Sequence, residues 1–275
     1  MGKGMIQKSR FRSWHPIGVA FLALASPALG QAEAPPRIPL AIPPPQLPPL
    51  ELIDVPTAGM LERDTYDLAI RTFHAGGTVA RFRLGLTDQA QIGASFGGLG
   101  VLGEGSPEWY PRPELHFKIR LLDETTSRPA WIVGFDSQGI GAWFDEAGRY
   151  ELKARGIHSV LSKSYSALEG FGLHAGISYN PLEGGSQDDR PDLFAGLDLA
   201  INLQWNWALE YSTALNDDDP DLIPLRHPGR GYLNTAVSVE FAEGLSIQFN
   251  VRDLFGRSEL VDLSRELVIT YRQSR

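Results

Sequence analysis

The stretch from Arg112 to Asp123, RPELHFKIRLLD, constrains the chain more than any other, because its side chains alternate without a break. In an extended strand Glu114, His116, Lys118 and Arg120 fall on one face, and Leu115, Phe117, Ile119 and Leu121 on the other. A soluble sheet would bury the apolar face and turn the charged one to water. A membrane barrel inverts this, with the apolar face against lipid and the charged face lining the lumen. One strand fits both architectures, so recurrence, loop lengths and targeting must decide.

Segments of this kind follow one another from Tyr66 onward, with no convincing amphipathic helix between them. The pattern predicts strands from Tyr66 to His74, Thr78 to Leu86, Gln89 to Gly98, Pro113 to Leu122, Pro129 to Ser137 and Arg149 to Leu161. It continues from Ala167 to Asn180, Asp192 to Ile201, Gln204 to Ala214, Gly231 to Phe241, Leu245 to Arg252 and Arg265 to Gln273. A tilted strand of about ten residues crosses a bilayer, which suits these lengths. After the first hairpin the spacers alternate. Thr87-Asp88, Ser162 to Ser166, Asn202-Leu203 and Ala242-Glu243-Gly244 are tight, with Asp123 to Arg128 slightly longer. Leu99 to Arg112, Gln138 to Gly148, Pro181 to Pro191, Leu215 to Arg230 and Asp253 to Ser264 are long. Tight turns on the periplasmic side and long loops outside are the habit of bacterial outer-membrane barrels. Ala75-Gly76-Gly77 would be an unusually short outer loop.

Targeting points the same way. Lys3, Lys8, Arg10 and Arg12 precede the apolar run Ile17 to Ala25 and the small residues Ala28-Leu29-Gly30, the pattern of a secretory signal peptide over 1–30. Residues 31–60 follow as a Pro-rich periplasmic extension, in which APPRIPLAIPPPQLPPLELIDVP reads as an extended tether or a recognition segment for a periplasmic partner. The barrel would occupy 61–275. Without the four basic signal residues, 21 Lys and Arg stand against 33 Asp and Glu, a formal charge near -12 that makes nucleic acid an unsuitable partner. The chain has no Cys for lipid attachment or a disulfide.

The apolar positions, among them Phe82, Ile92, Phe96, Trp131, Leu173, Ile177, Trp205, Tyr211, Phe249 and Ile269, are expected to face outward, with aromatics near strand ends as interfacial girdles. The opposite face supplies the candidate site, a lumen charge network of Arg81, Arg83, Glu114, His116, Lys118, Arg120, Asp136, Glu151, Lys153, Arg155, Glu169, Asp198, Glu210, Glu240 and Arg252. A barrel of this strand number has an interior that side chains largely fill. Charges inside it should pair, because an isolated buried charge is costly. A packed ion-pair network and an open ion-conducting pore both remain consistent with the sequence.

Catalytic and metal chemistry find little purchase. His116, His158 and His174 sit in strands outside any HExxH pattern or nucleophile motif, and no glycine cluster occupies a strand-to-helix phosphate turn. The acidic runs Gln187 to Asp192 and Asn216 to Asp221 offer oxygen ligands for Ca²⁺ or Mg²⁺ but lack EF-hand spacing, so solvated loops are the expectation. No cofactor, no metal and no enzymatic activity are expected.

Val55-Pro56-Thr57-Ala58-Gly59-Met60-Leu61, Gly85-Leu86-Thr87-Asp88, Ile92 to Gly98, Pro113 to Glu124, Gly134 to Gly139 and Gly231-Tyr232-Leu233-Asn234 resemble a group of uncharacterised bacterial outer-membrane barrel proteins. More loosely, the chain resembles the barrel part of YjbH-type proteins, and that resemblance implies a link to exopolysaccharide export or surface assembly. One departure is the chain end. Tyr271 keeps the alternation but Gln273-Ser274-Arg275 follows it, where barrels commonly finish on an aromatic.

The expectation is therefore an all-β protein, a closed antiparallel up-and-down transmembrane barrel of about twelve strands (10 to 14) in the outer membrane with both termini periplasmic. Its function would be structural or porin-like. Its partners would be outer-membrane lipid, the barrel-insertion machinery, and periplasmic or polysaccharide-export proteins met through the Pro-rich extension. The alternative is a soluble periplasmic β-sandwich or lipocalin-like binding protein.

Overall fold

A computed structural model describes residues 49–165, 170–183, 190–217, 231–256 and 264–273. The expected signal peptide and the first part of the Pro-rich stretch lie outside these. Strands β1 (Tyr66–Phe73), β2 (Gly77–Thr87) and β3 (Ala90–Leu99) open the series, followed by the short β4 (Glu108–Trp109), β5 (Glu114–Leu122) and β6 (Ala130–Asp136). A small hairpin of β7 (Ile140–Phe144) and β8 (Arg149–Leu152) precedes β9 (Gly156–Tyr165), β10 (Phe171–Tyr179) and β11 (Asp192–Ala200). The chain ends with β12 (Trp205–Ser212), β13 (Tyr232–Ala242), β14 (Leu245–Val251) and β15 (Arg265–Arg272).

Apart from β4 and the β7–β8 hairpin, each strand pairs antiparallel with the next, and β1 pairs with β15 from Asp67 opposite Arg272 to Thr72 opposite Leu267. That last pairing closes a twelve-stranded cylinder without free edges, the condition for backbone crossing hydrocarbon. The sequence reading placed all twelve barrel strands. The predicted segment Arg149 to Leu161 joins β8 to β9, although its apolar positions shift from even numbers (Tyr150, Leu152, Ala154) to odd ones (Ile157, Leu161) at Gly156. The chain breaks at Gly156, whose φ of +64° is left-handed and whose Cβ would meet the Asn180 Cα at 2.5 Å.

The burial pattern is inverted relative to a soluble sheet. Along β5, Glu114 is 2% exposed while Leu115 is 60% exposed, and His116 and Lys118 are buried beside exposed Phe117 and Ile119. Leu68, Ile70, Phe82, Ile92, Leu173 and Ile269 extend the apolar outer surface around the cylinder. A sandwich would bury those residues between two sheets. The pattern fits a belt facing lipid.

Two apolar clusters lie within the cylinder. At the end carrying the long loops, Phe73, Val79 and Tyr110 pack with Ile140 and Tyr150 of the β7–β8 hairpin. Tyr110 and Tyr150 meet edge to face at 4.9 Å, so the hairpin closes over that mouth. The second cluster is deeper and involves residues from ahead of β1.

Candidate functional site

The described part of the expected extension, residues 49–60, does not trail away from the barrel. With Leu61 it enters the lumen from the tight-turn end, and Leu50, Leu52, Ile53, Val55, Thr57, Ala58 and Leu61 are all buried. The segment forms no helix and no ladder with the barrel strands. What composition could not convey is that a short irregular segment can be satisfied by side chains of a surrounding wall. The segment doubles back on itself: the Leu52 N–H donates to the Val55 carbonyl at 2.9 Å, the Thr57 N–H to the Leu50 carbonyl at 3.3 Å, and Glu51 bridges Pro56. The result is a plug with its turn at Leu52 to Val55.

One side of the plug is apolar. Leu52, Ile53, Val55 and Ala58 pack against Ala130, Ile132, Val160, Phe194, Ala208 and Ala236, inward residues of β6, β9, β11, β12 and β13. Three of these six wall residues are alanines, small for an inward position and leaving room for the plug. Gly196 makes the fit explicit, since a Cβ there would lie 2.4 Å from Leu52 Cδ1. Burying each Leu, Ile or Val fully is worth about 1.5–3 kcal/mol.

The polar side is wired to nearly the whole circumference. Three consecutive backbone N–H groups, of Ile53, Asp54 and Val55, donate to the Glu210 carboxylate at 2.9–3.0 Å, and Asn234 Nδ2 donates to its other oxygen at 2.8 Å. This is a backbone nest closed on an anion. The Asp54 carboxylate takes Arg71 at 2.9 Å and Arg252, while Glu51 takes Arg81 at 2.6 Å and Arg83 at 3.2 Å. Lys118 donates to the carbonyls of Leu50 and Thr57, Arg120 to that of Ala58 and Arg155 to that of Asp54. Gln91 accepts the Leu61 N–H, and Gln248 donates to the Leu52 carbonyl.

A chain of side chains supports one of these ties. The Ala58 N–H donates to Ser162 Oγ at 2.8 Å, Ser162 Oγ lies 2.8 Å from His174 Nδ1, and His174 Nε2 lies 2.7 Å from Asp198. With Nε2–H donating to the carboxylate, Nδ1 is left to accept the Ser162 hydroxyl proton, so every member has a partner. A neighbouring cavity of about 30 Å³, bordered by Glu51, Arg83, Lys118, Asp136 and His158, is the size of a water rather than a solute.

Of the residues predicted for the network, Arg81, Arg83, Lys118, Arg120, Arg155, Glu210 and Arg252 touch the plug directly. Asp136 joins through His116 at 3.1 Å and Arg81 at 3.7 Å. Glu114 sits apart with Tyr150 and Arg112, Glu151 pairs with His74 at the mouth, and Asp198 holds His174. Lys153 is half-buried in the link between β8 and β9. Glu240 does not join: a bulge beside it leaves it exposed, accepting the Gly244 N–H in the turn. Glu169 lies outside the described residues, as do most of the two acidic loops.

Sequence reasoning missed Glu51, Asp54, Asp67, Arg71, Asp192 and Glu266. Asp67 and Arg71 on β1, and Glu266 on β15, follow the same period-2 rule and could have been found by it. Asp192 opens β11 and pairs with Arg155 at 2.9 Å. Glu51 and Asp54 had no such signal, since nothing local places a Pro-rich stretch indoors.

At the mouth, the β7–β8 hairpin is anchored by two carboxylates. Arg149 and Asp217 form a buried ion pair, and Glu183 accepts the N–H groups of Tyr150 at 3.1 Å and Ala154 at 3.2 Å. Burial pushes the Glu183 carboxyl up to about 7, outweighing these bonds and the nearby Arg149 charge.

No family model matches the chain, and no curated protein does. Among solved structures, the chain is similar to one described as "KdgM porin", with 6% identity, a TM-score of 0.45, and coverage of 76% of this chain and 99% of that one. It is also similar to the COG4313 outer membrane channel from Pseudomonas putida F1, at 10% identity and a TM-score of 0.44, covering 78% of this chain and 97% of that one. Likeness at this level assigns neither activity nor solute. The barrel class rests on strand pairing and burial in this chain.

Proposed function

We propose that this chain is a porin-like, non-enzymatic channel protein of the outer membrane, held shut by its own residues 49–61 and opened when that segment leaves the lumen. The observation that carries the proposal is the manner of attachment. The plug belongs to no barrel strand and is held largely by wall side chains, so it can leave without breaking a strand-to-strand ladder. In this reading the tight turns and both termini face the periplasm. The proline-rich stretch ahead of Pro49 is then a handle joined directly to the plug, on which a periplasmic partner would pull. The exopolysaccharide link implied by the YjbH-type resemblance names the first solute class to try.

Planar-bilayer recording of the full chain tests this. The native protein is expected to carry no steady current. Gly196→Leu, which puts side-chain atoms where Leu52 now sits, is expected to give openings. Large steady steps from the native chain would overturn the closed reading, and an equally silent Gly196→Leu protein with its plug shown displaced would overturn the channel reading.

A further inference from the structure

Seven cations of the wall reach the plug: Arg81 and Arg83 on Glu51, Arg71 and Arg252 on Asp54, and Lys118, Arg120 and Arg155 on plug carbonyls. Most of them also pair with a carboxylate of the wall, Arg120 with the exposed Asp123. Asp67 serves Arg83, Asp136 serves Arg81, Asp192 serves Arg155 and Glu266 serves both Arg71 and Arg252. Glu210 faces the plug N–H groups rather than a cation, and Asp198 holds His174. Glu51 and Asp54 add two negative charges from the plug. Arg272, which shares Asp67 with Arg83, adds to the positive side. When the plug departs, Arg71, Arg81, Arg83 and Arg252 lose the carboxylates it brought to them.

The form of these contacts matters as much as their sum. Glu51 receives two guanidinium groups from adjacent positions on β2, and Asp54 receives two from β1 and the end of β14. Each of the four gives one nitrogen to a plug carboxylate, Arg81, Arg83 and Arg71 their Nη1 and Arg252 its Nη2, so departure of the plug removes a charge-assisted hydrogen bond from every one of them. A lumen built this way holds a carboxylate better than it holds water, chloride or a neutral sugar.

We propose that Glu51 and Asp54 stand in for the carboxylates of a solute, so that the unplugged lumen binds and passes molecules bearing two or more carboxylates. The inference rests on the displaceable-plug reading, and one protein separates their failures. In Glu51→Gln/Asp54→Asn the plug loses both charges while the wall keeps all of its own. Hydrogen exchange at amides 52–58 reports displacement, and Gly196→Leu gives a second, charge-neutral route should the double variant fold poorly. Citrate, at ionic strength matched with NaCl, is the probe.

Citrate is expected to raise the melting temperature of the displaced variant and leave the native chain unmoved. In a salt gradient, the variant's reversal potential is expected to lie toward that of the anion. Arg71→Gln in the same background is expected to weaken both effects. Slow exchange at 52–58 in both variants would overturn the plug reading and the inference together. Displacement with no response to citrate, or with cation-preferring current, would overturn the inference alone.

Discussion

Glu210→Gln isolates the strongest single tie between plug and wall. The substitution keeps the side-chain shape but removes the charge that three consecutive N–H groups share. Hydrogen bonds to a charged group contribute about 1.5–3 kcal/mol and neutral ones about 0.5–1.5, so each of the three weakens by about 1 kcal/mol. The new amide also sets N–H against the Asn234 Nδ2 donor now bound at 2.8 Å. A total near 3 kcal/mol lowers the ratio of seated to displaced plug on the order of 100-fold, at about 1.4 kcal/mol per decade. Hydrogen exchange followed by mass spectrometry on the full chain in detergent reads this ratio at Ile53, Asp54 and Val55. Exchange there should quicken on the order of 100-fold, by the same arithmetic, while β5 and β12 keep their protection. Unchanged exchange at those three amides would show that Glu210 does not hold the plug.

Other perturbations test other parts of the structure. The raised pKa of Glu183, about 7 against an ordinary 4.5, means that the stability it contributes is fully present below about pH 4.5 and is lost as pH rises through about 7. Glu183→Gln, neutral throughout, should melt higher than the native chain at pH 8 and lose that advantage toward pH 5; a variant less stable at pH 8 would reverse the sign. Phe117→Arg places a cation on the lipid-facing side of β5 and should cost about 2–4 kcal/mol near the bilayer midplane, read as a lower urea midpoint for folding into vesicles. A neutral effect would indicate that this face meets water. Gly156→Ala forces a side chain into left-handed backbone and against Asn180, costing about 1–2 kcal/mol from conformation alone, with the clash in addition. Its folded, fast-migrating gel form should convert at a lower temperature, and an unaltered conversion temperature would count against the described break between β8 and β9.

The barrel was legible because period-2 alternation is a local signal repeated twelve times, and because lipid and lumen select opposite chemistries at neighbouring residues. Glu114 and Leu115 declare their faces without help from distant contacts. The plug was not legible for the converse reason. Its prolines say only that it is neither helix nor ladder, and its burial depends on partners such as Glu210 and Arg252, more than 150 residues away. A weak hint was present: Leu50, Leu52, Ile53 and Val55 are more apolar than a solvated spacer needs. Half of the lumen chemistry followed the strands, as with Arg81, Arg83 and Lys118. The half supplied by Glu51 and Asp54 became visible only once the chain was seen to turn back into its own cylinder.

Nitroxide accessibility tests most directly whether the cylinder is turned inside out and filled. The chain has no native Cys, so single labels at positions 115, 116, 117, 118, 119 and 55 can be introduced one at a time in vesicles. Labels at 115, 117 and 119 should collide with lipid-dissolved oxygen, while those at 116, 118 and 55 should be sheltered from it. Lipid contact at 116 and 118 with shelter at 115, 117 and 119, or free aqueous collision at 55, would contradict the structure at its centre.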